Sequence, residues 1–252
     1  MSALQALLVF VAGIAAGTIN TVVGSGTLIT FPVLLGIGLA PVTANVSNTV
    51  GLAPGSFVGA YGYRRELAGQ RARATRLGAA SVIGAVIGAV LLLTLPGAAF
   101  KAIVPVLIGL AVVLVLLGPR VSGWLGDTRH GASTRVTPLL WVLTLGAGAY
   151  GGYFGAAQGV LLMGLLGLLL AESLQRQNAL KNVLAALVNA VAALVFVIAA
   201  TEHIDWAAAG LIAAGSILGA LLGARVGRRM SPVVLRGVIV FVGVAAIVKL
   251  LA

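Results

Sequence analysis

Long apolar runs separated by short polar stretches recur along the whole chain. Six of them approach the roughly 20 residues that a membrane-crossing helix needs: 43–62, 75–95, 98–117, 179–199, 206–224 and 232–251. None carries an Asp or Glu at its centre. Two shorter apolar pieces precede them in each half. In the first half these are 4–19 and 27–38, broken at Asn20–Gly26. In the second they are 138–153 and 160–171, broken at Phe154–Gly159. A twelve-residue helix rises only about 18 Å, against a hydrocarbon core of about 30 Å. Each short pair is therefore expected to be a re-entrant hairpin or one broken helix. The pattern predicts an all-α polytopic membrane protein and no strands.

The two halves also repeat. Ser81–Val90 (SVIGAVIGAV) recurs as Ser216–Arg225 (SILGALLGAR), with five of ten positions identical and four apolar exchanges. Each glycine-rich break is followed by a short apolar run and then by a helix opening with Asn: Asn45 in the first half, Asn178 in the second. Interrupted hydrophobic segments at matching places are the mark of secondary transporters. The expected units are a first repeat at 1–117, a cytoplasmic linker at 118–137 and a second repeat at 138–252.

Charge distinguishes the topologies. If each short pair returns to the side it came from, each half adds three crossings, and the halves are inverted. The basic loops 63–76, 118–137, 172–181 and 225–231 then share one face. With Arg236 they bring fourteen basic residues there, against Lys101 and Lys249 opposite. The acidic loop Glu202–Asp205 also falls opposite. That sorting obeys the positive-inside rule; counting each pair as a single crossing does not. The basic face is expected to be cytoplasmic and both termini extracytoplasmic. The opening segment lacks the basic stretch of a secretory signal peptide, so it is expected to remain in the mature protein.

Composition agrees with a lipid environment: 60% of the 252 residues are hydrophobic and 8% are charged. The formal charge of +11 suggests nucleic-acid binding only until its placement is seen. The basic residues lie in short loops, with no continuous patch and no stacking aromatics, so no nucleic-acid partner is expected. There is no cysteine. His130 and His203 fall in loops without a second metal ligand, and Ser, His and Asp form no triad spacing. Neither an enzyme nor a cofactor is expected.

The candidate chemistry lies at the breaks. Gly24, Ser25, Gly26 and Thr27 form the first tip, with Asn20 just before it; Gln158 and Gly159 belong to the second. Irregular backbone at membrane depth survives only when buried or lining a wet cavity. A helix starting there offers free N–H groups to an anion. Asn45, Asn48 and Thr49 share a helix face, and Asn178, Lys181 and Asn182 repeat that spacing. Six polar groups there should face the interior rather than lipid. Asn45 and Asn178 are read either as helix caps or as ligands. Lys181 is read either as snorkelling to the cytoplasmic face or as facing an anion. The ladders Gly84/Gly88 and Gly219/Gly223/Gly227 are expected to let helices pack closely, within one copy or across a homodimer. Asn189 is expected to join helices rather than to bind a substrate.

These residues resemble the sulfite exporter TauE/SafE family across nearly the whole chain. The likeness is carried by GIAAGTIN at 13–20, GSGTLITFP at 24–32, ANVSNT at 44–49, GGYFG at 151–155 and NALKN at 178–182. The resemblance implies an inverted-repeat helical fold in the cell inner membrane. It also implies transport of small sulfur-containing anions such as sulfite, sulfoacetate or thiosulfate. Gln158 stands where the family's second half is denser in glycine, which points to that residue in selectivity. The anion would sit between the tips, with Asn20, Asn45, Asn48, Asn178 and Asn182 completing its shell. The alternatives are a channel-like pore for another small solute and an assembly subunit.

Overall fold

The computed structural model describes residues 1–127 and 135–226. The last expected span, 232–251, lies outside them, as do Arg129, His130, Gly227, Arg228, Arg229, Arg236 and Lys249. Among the described residues there are nine α-helices and no strand: α1 Ala3–Val22, α2 Thr27–Gly36, α3 Pro41–Gly62, α4 Arg71–Thr94, α5 Gly97–Asp127, α6 Pro138–Tyr153, α7 Gln158–Leu169, α8 Leu174–Ala199 and α9 Trp206–Val226. A short 3-10 turn at Thr201–His203 joins the last two.

Local signals set several helix starts. Ser2 and Gln5 form a reciprocal capping box on α1. Pro41 and Pro138 occupy the first turn of α3 and α6, where a missing N–H leaves no intrahelical bond unmade. Two boundaries differ from expectation. Helix α1 runs to Val22 and is long enough to cross a membrane, as are α4, α8 and α9. Asn20 and Thr21, read as part of the break, lie inside it because the turn begins only at Val23. Helix α5 continues to Asp127, past residue 117, where the first half was expected to end.

The packing is apolar outside and polar inside. On α1, Leu4, Leu7, Leu8 and Val11 form an exposed stripe, as do Ile83, Val86, Ile87, Val90 and Leu91 on α4. Such continuous apolar surface needs lipid around it. The polar residues concentrate on α3, where Asn45, Ser47, Asn48, Thr49 and Ser56 are all buried. Helix α3 packs against α1, α2, α5, α8 and α9, which makes it the centre of the bundle.

The two repeated ten-residue segments make matching contacts. Gly84 and Gly88 of α4 lie against the backbone of Leu145, Ala149 and Tyr153 on α6. Gly219 and Gly223 of α9 lie against Ile14 and Thr18 on α1. The ladders therefore close helices within one chain, and each does so on the first helix of the other half. A Thr18 hydroxyl bond to Gly219 O, 3.0 Å, adds to the second contact.

Loop contacts sort the charges. At one end, Arg73 and Arg176 both pair with Glu172, and Arg176 also donates to Ala68 O. Gln70, wholly buried, donates to Arg176 O at 3.1 Å. Gly62 meets Ala224 nearby. At the other end the Asp205 amide donates to Ser47 Oγ at 2.8 Å, and Gly97 approaches Val42. The basic loops around 63–76 and 172–176 thus share an end, with the acidic turn Glu202–Asp205 at the other.

Partial burial pushes the Glu172 carboxyl up, but the hydrogen bonds and charges of Arg73 and Arg176 outweigh that and hold it below the ordinary carboxylate range. A carboxyl depressed on folding contributes stability above its unfolded pKa and loses it as pH falls through the folded one. Glu172→Gln is expected to flatten that acid-side loss in a thermal melt series. A variant that melts as steeply with acid as the parent would show that the cluster does not join the two loops.

Candidate functional site

Both short pairs turn by the same device. At the end of α1, the amides of Val23 and Gly24 both donate to Ile19 O, at 2.7 and 3.0 Å. At the end of α6, the amides of Phe154 and Gly155 both donate to Tyr150 O, at 2.9 and 3.0 Å. Gly24 and Gly155 have φ of +90° and +74°, the left-handed conformation that ends helices and that glycine adopts without strain. After the first turn Gly26 lies on Ala16 and Asn20, so α2 runs back along α1. After the second, the Gln158 side chain lies in the notch left by Gly151, so α7 runs back along α6. Tyr150 Oη donates to Ala156 O inside that turn. Ala157 is the one non-glycine residue with positive φ among the described residues.

The two turns meet. Gly159 donates its amide to Gly24 O at 2.9 Å, and the Cα atoms press so closely that a Cβ on either would overlap the other. The amides of Gln158 and Gly159, expected to face an anion, are already taken by Gly155 O and Gly24 O. The first turn differs: Ser25, Gly26 and Thr27 donate their amides to no backbone acceptor. As the opening of α2, they present the positive end of its dipole.

Side chains from the other half satisfy the carbonyls at each turn. Lys181 of α8 donates to Asn20 O at 3.1 Å and Thr21 O at 3.3 Å, and Asn182 donates to Thr21 O at 3.1 Å. Asn45 of α3 donates to Tyr153 O at 2.9 Å. Helix ends leave their last carbonyls unpaired, and these four bonds supply donors where lipid cannot. Asn48 holds the start of α2 by donating to Thr27 Oγ1 at 3.2 Å and accepting from Thr30.

Two expectations are corrected here. Asn45 and Asn178 do not cap their own helices, whose N-caps are Ala40 and Ser173; both lie more than a turn inside. Lys181 does not snorkel: its side chain is wholly buried, because α8 begins at Leu174 and carries it two turns inward onto the α1 carbonyls. Asn189 joins helices as expected, donating to Ser56 Oγ at 2.8 Å. Asn20 donates to the same hydroxyl at 3.3 Å.

Several buried polar atoms on residues at the turns or bonded to them have no partner, Ser25 Oγ, Gln158 Nε2, Asn45 Oδ1 and Tyr153 Oη, and neither has Asn178 Oδ1 on α8. Ser25 follows Gly24 and Gln158 precedes Gly159, so both residues adjoin the contact, the Gln158 side chain lying in the Gly151 notch. A buried polar group without a partner is costly, so each marks a place where a ligand or water completes the bonding. The structure thus gathers Asn20, Gly24, Ser25, Gly26, Thr27, Asn48, Lys181 and Asn182 at the first turn, and Asn45, Gln158 and Gly159 at the second. Asn178 is buried, but no hydrogen bond ties it to either turn. Sequence reading missed Ser56, Thr30 and Gly151. Thr30 follows Thr27 at helical spacing, and Gly151 opens the GGYFG motif quoted above, which were the available signals; Ser56 gave none.

Residues 9–250 match the family described as "Sulfite exporter TauE/SafE". The chain is 29% identical over 245 residues to "Probable membrane transporter protein ORF9" of Sinorhizobium sp, covering 96% of this chain and 91% of that protein. It is 28% identical over 251 residues to "Probable membrane transporter protein YfcA" of Escherichia coli K12, covering 98% and 90%. No solved structure matches the chain.

Proposed function

Because the chain belongs to the sulfite exporter TauE/SafE family of membrane transporters, we propose that it carries small sulfur-containing anions outward through a site between its two glycine turns. The observation that carries this reading is the pair of unpartnered buried donors, Ser25 Oγ and Gln158 Nε2, on the residues that adjoin the Gly24–Gly159 contact. Anion oxygens accept hydrogen bonds, and donors held in place before binding cost little to organise. The free amides of Ser25, Gly26 and Thr27 add three further donors at the start of α2. Asn45 and Asn182 fix the ends of α6 and α1 around the site.

In this reading residues 1–117 and 138–252 are inverted repeats, the basic end is cytoplasmic and both termini are extracytoplasmic. Each short pair opens toward a different end, and rocking of one repeat against the other alternates access. The parallel packing of α1 with α9 and of α4 with α6, each across the halves, supports that arrangement.

Flux into liposomes tests the reading. The reconstituted chain is expected to move sulfite, with thiosulfate and sulfoacetate tried beside it. Asn182→Ala is expected to lower that flux several-fold while the folded yield persists, since Thr21 O keeps Lys181 as a donor. No movement of any of these anions by well-folded protein would end the assignment.

A further inference from the structure

The reading just proposed leaves open which ionic form of the anion the site accepts, and the distribution of charge around the turns bears on it. Lys181 is the one buried charged side chain among the described residues. No charged residue occurs in α1, α2, α3, α6 or α7, which build both turns and the helix that holds them. Besides Lys181, α8 carries Arg176 and α4 carries Arg71, Arg73 and Arg76 in its first two turns, and Glu172 pairs with Arg73 and Arg176 at the basic end.

The acceptors on Lys181, Asn20 O and Thr21 O, are neutral carbonyls. They leave its charge uncancelled. An ammonium has three N–H donors, and two point at these carbonyls, so the third remains for a ligand. The other unpartnered donors, Ser25 Oγ and Gln158 Nε2, are neutral amide and hydroxyl groups. They can hydrogen-bond an oxygen without balancing its charge. A buried charge is tolerated when it is paired, and the penalty for an unpaired one is severe. One ammonium balances one negative charge. A doubly charged ligand would leave a net negative charge among apolar helices, with no second cation within the turns.

We propose that Lys181 makes the site selective for singly charged anions: sulfite is carried as hydrogensulfite, and doubly charged thiosulfate, sulfate and sulfoacetate are poor ligands. This inference rests on the anion-carrier reading and narrows its substrate class. Lys181 sets the charge that is accepted; Ser25 and Gln158 set the geometry.

The test is competition against labelled sulfite flux in proteoliposomes holding the full chain, at one near-neutral pH. Unlabelled methanesulfonate and 2-hydroxyethanesulfonate, both singly charged, compete with thiosulfate and sulfate. The two monoanions are expected to halve the flux at no more than a tenth of the concentration the dianions require. Lys181→Gln is expected to lower sulfite flux at least ten-fold. Gln158→Lys adds a second cation on the residue that adjoins the contact and is expected to improve competition by thiosulfate and sulfate at least ten-fold relative to methanesulfonate. That second variant decides the question should Lys181→Gln fail to fold. Dianions competing as well as monoanions, or no competitor acting at all, would overturn the charge selection while the sulfite flux itself upholds the carrier. Absence of sulfite flux in the parent protein would overturn both.

Discussion

Gly24→Ala is expected to abolish the folded protein, and with it any flux. The residue has φ of +90°, which costs a side-chain-bearing residue about 1–3 kcal/mol in strain. Its new Cβ would also overlap the Gly159 Cα, a backbone atom that cannot rotate away. Relief requires the two turns to separate, which breaks the Gly159–Gly24 hydrogen bond and exposes buried polar backbone. Together these exceed about 3 kcal/mol, a large part of a typical protein's total stability. Gly38→Ala is the control. Its φ is +100°, but nothing lies within 4 Å of the added carbon, so it carries the strain without the collision. Folded yield and melting temperature in detergent measure both. Equal losses in the two variants would show that the contact between turns contributes little.

Gly88→Val should be nearly as damaging, for a purely steric reason. The added carbon would collide with Ala149 O and Tyr153 N on α6. Helix α4 would have to move outward along its whole contact with α6, and overpacking of this kind costs about 1–3 kcal/mol or more even where side chains can adjust. Here the obstacle is backbone. In the second half Gly219, which matches Gly84 in the repeat, faces Ile14 O and Thr18 N in the same way. Gly109→Val, in α5, should be far milder, since no atom lies within 4 Å of it. Thermal melting of the two variants separates the cases, and a Gly88→Val protein as stable as Gly109→Val would refute the close packing.

Much of this architecture could be read from the order of residues. Apolar runs gave the helices expected at 43–62, 75–95, 179–199 and 206–224 to within five positions, because lipid demands both length and apolarity, whereas α5 runs ten residues past its expected end. The placement of arginines gave the shared end of the 63–76 and 172–176 loops. What escaped was whatever depends on a partner far along the chain. Asn20 and Thr21 look like loop residues by type. They remain helical because Ser56 accepts from one side chain and Lys181 and Asn182 bind both carbonyls, the latter two from some 160 positions away. The choice between an interfacial and an anion-facing Lys181 stayed open for the same reason: nothing nearby in sequence reveals the carbonyls that receive it. The twin glycine turns were visible individually, but the hydrogen bond between them was not, since Gly159 offers no side chain to signal it.

Selection of a single charge has an energetic corollary. A cycle that exports one hydrogensulfite moves one negative charge, and a potential of 100 mV, negative inside, favours that movement by about 2.3 kcal/mol. Such a carrier could expel its cargo against a gradient of roughly fifty-fold without a coupling ion.

The Gly24–Gly159 contact also limits how the molecule can move. Two backbones touching at bare Cα atoms, with one hydrogen bond across them, behave as a fulcrum: either arm can tilt around the point, but neither can slide past it. Swinging by a few degrees about that pivot keeps the bond at 2.9 Å, whereas a shift of one residue's length severs it. In the alternating-access reading proposed above, that point would stay still while the far ends of α1 and α6 travel farthest.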